Sequence, residues 1–285
     1  LDEIQKKIEI TTKDFLVSGE SFDLLYDAKR EMLITSPQPE REELSKYYES
    51  ESYISHTDSS SGLMGSLYQG VKKYSLALKL RLITTSLKGT GSLLDIGCGT
   101  GDFIKLAKTH KWAVRGIEPN EKARNLGIEK SIEIKESIEH FEGSVFDVVT
   151  LWHVLEHLPD LENTIQKIEA FVKPGGTLII AVPNFKSFDA KYYKNYWAAY
   201  DVPRHLWHFS KNSMRMLFSS EMKLKKIKPM IFDSFYVSLL SEKYKTGKSF
   251  SSKALFVGLW SNLIALRTGE SSSHIYCFRK GNDGI

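Results

Sequence analysis

An apolar run closing on an acid and three alternating glycines, Leu93-Leu94-Asp95-Ile96-Gly97-Cys98-Gly99-Thr100-Gly101, constrains this chain more than any other segment. A buried parallel strand that turns sharply beneath a ligand has this pattern. Glycine takes left-handed backbone angles without strain and lets the main chain pass close to what it holds. The spacing G-x-G-x-G departs from the dinucleotide fingerprint G-x-G-x-x-G, because Asp102 stands where the last glycine would be. A carboxylate at the mouth of a helix is a poor host for pyrophosphate. It suits a nucleoside-like ligand that lacks phosphate and carries positive charge.

Three further motifs follow in order. Gly116-Ile117-Glu118-Pro119-Asn120 puts an acid at the end of a second strand, 21 residues beyond Gly97. Phe146-Asp147-Val148-Val149-Thr150-Leu151 runs into Trp152-His153-Val154-Leu155-Glu156-His157-Leu158, and Val172-Lys173-Pro174-Gly175-Gly176-Thr177-Leu178 leads into another strand. Taken together, the four motifs resemble those of the class I S-adenosylmethionine-dependent methyltransferases, over about residues 86–230. The resemblance implies an α/β fold, a doubly wound, seven-stranded Rossmann-like sheet of order 3-2-1-4-5-7-6 with strand 7 antiparallel. It implies S-adenosylmethionine as cofactor. Asp95, Gly97, Cys98, Gly99 and Gly101 would lie under its methionine part. Glu118 would take the ribose hydroxyls, with Pro119 fixing the next turn, and Ser137 and Ile138 would meet the adenine. Trp152 and His153 would line the methionine side and the gate to the acceptor.

Methyl transfer asks a protein mainly to align two reactants and exclude water, with a base where the acceptor is a hydroxyl or amine. Two histidine groups offer that base. In the first, His153, Glu156 and His157 form an H-x-x-E-H run. At helical spacing the three would share a face and could hold a metal. The other reading is that Glu156 and His157 bond to one another and the backbone and pin the loop. We expect the pinned loop, no metal, and a functional His153. The second group lies in Asp201-Val202-Pro203-Arg204-His205-Leu206-Trp207-His208, where the family places a substrate lid. There His205 or His208 is the candidate base and Arg204 a candidate anion clamp. Tyr192, Tyr193, Tyr196, Trp197 and Tyr200 either wall the pocket or fill the core of the insertion, and Ser210 or Asn212 caps the next helix.

We divide the chain into an N-terminal accessory module with a linker helix (1–84) and a main domain (85–285) containing an aromatic lid at about 185–220. In the module, Phe22 to Tyr26 reads as a strand, Arg41 to Tyr48 as helical, Ser55 to Gly65 as a linker and Val71 to Ser86 as an amphipathic helix. The module resembles one that often holds zinc on cysteines in a bacterial methyltransferase subfamily. Here Asp27 and Arg30 stand near the expected C-x-x-C, so no zinc is predicted. In the main domain, strands are predicted at 92–96, 113–118, 131–135, 146–151, 177–182, 224–233 and 273–280. Helices are predicted at 102–110, 120–127, 160–172 and 211–220, with Gly175-Gly176 ending the third.

The net charge of +4 does not by itself name nucleic acid as a partner, and the Asn-Pro-Pro-Tyr signature of many base-directed amino methyltransferases is absent. Two cysteines make no disulfide framework, so a cytoplasmic enzyme is expected. The acceptor expected is a small-molecule, glycan or lipid-linked hydroxyl. The uncharged stretch 254–266, behind a lysine-rich region, has two readings: a peripheral membrane contact, or a helix buried on the sheet or at a homodimer contact. Two rival functions stand beside methyl transfer. One is a cofactor-binding scaffold or sensor. The other, a nicotinamide-dependent reductase, is disfavoured by Asp102 and by the missing Tyr-x-x-x-Lys pair.

Overall fold

A computed structural model describes residues 7–40, 43–48, 63–248 and 250–282. The linker expected at Ser55 to Gly65 lies largely outside the described residues. The chain opens with three antiparallel strands, β1 (Lys7–Lys13), β2 (Ser21–Asp27) and β3 (Met32–Ser36). Asp14 and Asp27 cap the turns that join them. Asp14 accepts from the backbone N–H of Leu16, Val17 and Ser18, and Asp27 from those of Lys29 and Arg30. Where the resembling module would place metal-binding thiols, a carboxylate thus holds the turn through its own amides. A short 3-10 helix, Leu44–Tyr48, follows.

Helix α1 (Leu63–Leu87) leads into alternating strands and helices: β4 (Ser92–Ile96), α2 (Asp102–Thr109), β5 (Ala113–Ile117), α3 (Glu121–Ile128), β6 (Glu133–Lys135), β7 (Phe146–Trp152), α4 (Leu161–Ala170) and β8 (Val172–Pro183). β10 (Met222–Pro229) and β11 (Ser273–Lys280) complete a seven-stranded sheet of order β6-β5-β4-β7-β8-β11-β10, in which β11 runs antiparallel to both its neighbours. This is the order 3-2-1-4-5-7-6. The central strands read as continuous apolar runs because both faces are covered. Leu94, Ile96, Val149 and Leu151 pack to one side with α4, and Leu93, Val148 and Ile179 to the other with α1 and α2.

One predicted helix stop is corrected. α4 ends at Ala170, and Phe171 and Val172, both buried, are drawn into the core. Pairing with β7 therefore starts at Val172 and shifts register before Thr177, so Gly175-Gly176 sit in an irregularity within β8. Gly175, at φ 69°, supplies the left-handed residue there.

Between β8 and β10 run α5 (Phe188–Tyr193), the two-residue strand β9 (Trp207–His208) and α6 (Lys211–Met216), which Ser210 caps. β9 pairs with β3, so the lid supplies the fourth strand of the N-terminal sheet. Tyr193, Trp197 and Tyr200 are buried with Phe22, Leu24 and Leu33 beneath that sheet. These aromatics fill a core and do not wall a pocket. α7 (Asp233–Thr246) and α8 (Ser252–Thr268) lie between β10 and β11.

Candidate cofactor and active site

The turn after β4 is held from two sides. The N–H groups of Gly97 and Cys98 both donate to the Ile117 carbonyl, at 2.7 and 3.0 Å. Gly97 has φ 71°, and a Cβ there would lie 2.3 Å from Val154 Cγ2, so only glycine fits. Gly99 differs. It has φ 54°, but a Cβ would meet nothing within 4 Å. The space above Gly99 is open, and it faces the C-terminal ends of β4 and β5, where ligands of open parallel sheets bind.

Three acids surround this loop. Asp95 is buried at the end of β4 and accepts from Thr150 Oγ1 at 2.5 Å. Burial pushes its pKa up to about 7, against the Thr150 hydrogen bond and the charge of Lys79. Glu118 takes the Gly99 N–H at 2.8 Å on one oxygen and the Asn120 N–H at 2.9 Å on the other. Each oxygen keeps a second lone pair, so the carboxylate that shapes the loop still presents acceptors to a diol. Burial raises its pKa, against these two hydrogen bonds. Asp102 is committed to two lysines. It pairs with Lys130 at 2.6 Å and Lys72 at 2.8 Å, so its charge ties α1 to α2.

The remaining cofactor candidates vary in place. Pro119 leads into α3, whose N-cap is Asn120. Ser137 and Ile138 follow β6; Ser137 caps a short 3-10 turn and Ile138 packs against the core. Cys98 sits beneath the loop, and burial raises its thiol far above the ordinary range. Trp152 ends β7, edge-on to Phe103, and its indole N–H has no hydrogen-bond partner among the described residues.

Lys79 completes the site and was not singled out from the sequence. Its ammonium stands 4.5 Å from the Trp152 ring centre, and Asp95 and Asp233 are the acids that act on it. Burial lowers its pKa, against the pull of those two acids. The signal was there: Lys79 interrupts the apolar face of α1 marked by Leu76 and Ile83. Asp233, at the start of α7, had no sequence signal at all.

His153 holds a left-handed conformation, φ 57°, between two carboxylates. Its Nε2 is 3.0 Å from Asp233 and its Nδ1 is 3.4 Å from Glu156. Burial disfavours the charged ring, but the two acids outweigh it and lift the pKa to about 10. His153 is therefore an imidazolium at neutral pH and has no lone pair to act as a base in this arrangement.

His157 and Glu156 do not bond to one another. His157 Nδ1 meets the Arg204 carbonyl at 3.0 Å and Tyr48 Oη at 3.1 Å, while the Glu156 carbonyl accepts from Leu206 N–H. The loop is thus pinned to the lid by other bonds than the pair expected. Burial drops the His157 pKa to about 4. His205 is buried, and its Nδ1 lies 2.9 Å from the Ala199 carbonyl. Glu156, His157 and His205 each bring one donor atom within 4.8 Å of the others, close enough to share a cation. The charge of Glu156 is met by His153.

Two expected catalytic groups are corrected. Arg204 is buried, and its guanidinium is spent on Asp201 through two nitrogens, on Asp14 at 2.9 Å and on the Tyr47 carbonyl. It staples the lid to the N-terminal sheet and leaves no fork for a substrate anion. His208 is buried in β9, 3.0 Å from Thr35 Oγ1, and burial holds its pKa well below the usual imidazole range. It serves the strand pairing of β3 and β9.

The profile of the methyltransferase domain family matches residues 68–220, over half of the chain. The chain belongs to the class I S-adenosylmethionine-dependent methyltransferases. Among curated methyltransferases it is 31% identical over 114 residues to the ubiquinone biosynthesis O-methyltransferase of Coxiella burnetii, covering 36% of this chain and 48% of that one. To the enzyme of the same name from Vibrio atlanticus it is 35% identical over 108 residues, 34% of this chain and 46% of that one. The chain spans about half the length of these relatives. Solved methyltransferases share the fold: the StiE O-MT at 17% identity and TM-score 0.53, covering 79% of this chain and 80% of that one, and the plantazolicin methyltransferase BpumL with SAH at 14% and 0.52, covering 84% and 94%. The cofactor of this methyltransferase is S-adenosylmethionine, and the donor set fits it. Glu118 would hold its diol, Asp95 and Lys79 carry the charges that would complement its ammonium and carboxylate, and the space over Gly99 is free.

Proposed function

We propose that this methyltransferase moves a methyl group from S-adenosylmethionine to a hydroxyl of a small-molecule, glycan or lipid-linked acceptor. The observation that carries the proposal is the open space over Gly99, whose own N–H is held by the Glu118 carboxylate. The O-methyltransferase names of the partial relatives support the choice of a hydroxyl. When bound, the cofactor supplies a methyl group already activated by its sulfonium. The chain's own part is alignment and exclusion of water. Glu118 holds the ribose, Asp95 and Lys79 orient the amino-acid end, and Trp152 closes the apolar side. His205 is the base we assign. With Nδ1–H donating to Ala199, its Nε2, 4.0 Å from Asp201, would be the nitrogen that accepts the acceptor's proton.

Calorimetric titration with S-adenosylmethionine, S-adenosylhomocysteine and NADH, followed by turnover on hydroxylated acceptors, tests this reading. Binding of the two sulfur ligands, no NADH binding, and methyl ether products are the result expected. Cofactor binding without turnover on any acceptor class would leave a scaffold or sensor. His205→Ala should keep cofactor affinity and slow turnover; unchanged turnover removes it from the chemistry.

A further inference from the structure

Helix α8 is packed the wrong way round for an element facing water. Its inward positions, Ala254, Val257, Gly258 and Ser261, are small and buried. They let α8 lie hard against α7: a Cβ on Gly258 would stand 2.9 Å from Phe235 Cα. The large apolar residues Leu255, Phe256, Leu259, Trp260, Leu263 and Leu266 all point outward, and Leu266 is 84% exposed. Phe256 and Trp260, one turn apart, stack at 6.0 Å. The buried-helix reading of 254–266 is therefore wrong for these side chains. The exposed face continues past α8. Asn262 Nδ2 donates to the Ile231 carbonyl at 3.0 Å, Ile231 and Phe232 are exposed, and Phe232 meets the exposed Tyr74 of α1 edge-on. A contiguous apolar face of this size marks a binding surface.

Charge decides what covers it. Residues 254–266 carry no ionisable group, and Lys253 and Arg267 bracket them. Exposed Lys248 and Phe250 precede the helix. A second copy packed antiparallel on α8 would set Lys253 against Arg267 of the other copy, and a parallel one would set lysine on lysine. Glu242, 3.8 Å from Lys253, is buried and belongs to the inner side. With an apolar face, a stacked aromatic pair and basic ends, the surface matches the headgroup region of an anionic bilayer. We infer that the outward face of α8, with Ile231 and Phe232, docks this methyltransferase on an anionic lipid surface. The helix lies in the plane of the surface, since no helix among the described residues is long and apolar enough to cross. Asp233, next to Phe232, contacts His153, so docking brings the active-site mouth to the bilayer. This last step rests on the proposed function, and among its acceptors favours a lipid-linked one.

Flotation of the full chain with vesicles of phosphatidylcholine, alone or mixed with phosphatidylglycerol, tests the docking. The protein should float with the mixed vesicles and less in high salt. Phe256→Ser/Trp260→Ser should cut flotation on the order of tenfold, with circular dichroism unchanged. Lys253→Glu/Arg267→Glu should lose the preference for the anionic lipid. Absence of flotation with either vesicle overturns the inference, as does flotation that ignores the Phe256/Trp260 change. A solution dimer that Phe256→Ser/Trp260→Ser dissociates overturns it in favour of a second copy. S-adenosylmethionine titration of the same samples reads the cofactor pocket separately, so failure of docking and failure of the methyltransferase reading are told apart.

Discussion

Asp233 Oδ2 lies 3.0 Å from His153 Nε2, and this contact joins the start of α7 to the loop after β7 at the mouth of the cofactor site. On the other side Glu156 stands 3.4 Å from Nδ1, and Lys79 is the cation that also acts on Asp233. The ring is thus a charged latch between two elements. Its folded pKa, about 10, lies above the ordinary imidazole value. The latch therefore contributes fully below about pH 6.5 and is lost as pH rises through about 10. In an NMR titration of His153, Asp233→Asn should move the midpoint down toward the ordinary range. A midpoint that stays put would show that the two groups do not meet in solution.

Glu118 shapes the glycine loop through the Gly99 N–H and presents its remaining lone pairs to the ligand space. Removing hydrogen bonds to a charged group costs about 1.5–3 kcal/mol. Glu118→Ala should therefore weaken S-adenosylmethionine roughly 10- to 100-fold by calorimetry. Gly99→Val should do worse, because it strains a left-handed residue and fills the open space. Undiminished affinity in both variants would move the cofactor elsewhere.

What the sequence shows about the fold follows from its locality. The central strands and the turn at Gly97 are written in short motifs, because a buried parallel strand and a left-handed turn each demand their residue types within a few positions; the order of the seven strands came only with the family those motifs resemble. The site is less local. Arg204 and His208 stand in a segment that reads as catalytic, yet beyond neighbouring Asp201 Arg204 is claimed by Asp14, 190 positions away, and His208 is claimed by Thr35. No spacing rule reports such a pairing. Lys79 was visible as a break in an apolar stripe, whereas Asp233 acquires its meaning only when α7 folds back onto His153. The aromatic run from Tyr192 to Tyr200 fits a lid or a core equally well until β9 is seen to join the N-terminal sheet.

Arg204 and Asp14 are both fully buried, and Asp201 closes the pair from the lid side. Deleting one partner of a buried ion pair leaves an uncompensated charge, at a cost of about 3–5 kcal/mol. Arg204→Ala should lower stability by that amount in urea denaturation, and Arg204→Lys should not restore it, because lysine lacks the fork. Although burial works against it, Arg204 holds both Asp14 and Asp201 below the usual carboxylate range. Their contribution is present above that range and lost as pH falls through the lowered values. An anion clamp would behave otherwise, weakening acceptor binding while leaving the denaturation midpoint in place.

The cluster of Glu156, His157 and His205 is the remaining point at which the site could take a different chemistry. Three donor atoms within 4.8 Å satisfy the distance a divalent ion needs. Against a resident metal stands the charge already in place: His153, protonated at neutral pH, lies 3.4 Å from Glu156 and compensates it. A metal would have to compete with that cation for the same carboxylate. Purified protein should therefore hold no stoichiometric zinc, manganese or magnesium by elemental analysis. Dialysis against a chelator should leave S-adenosylmethionine affinity and the denaturation midpoint unchanged. One equivalent of metal that survives gel filtration and disappears in Glu156→Gln would make the cluster a metal centre, with His205 as its ligand and no longer the base.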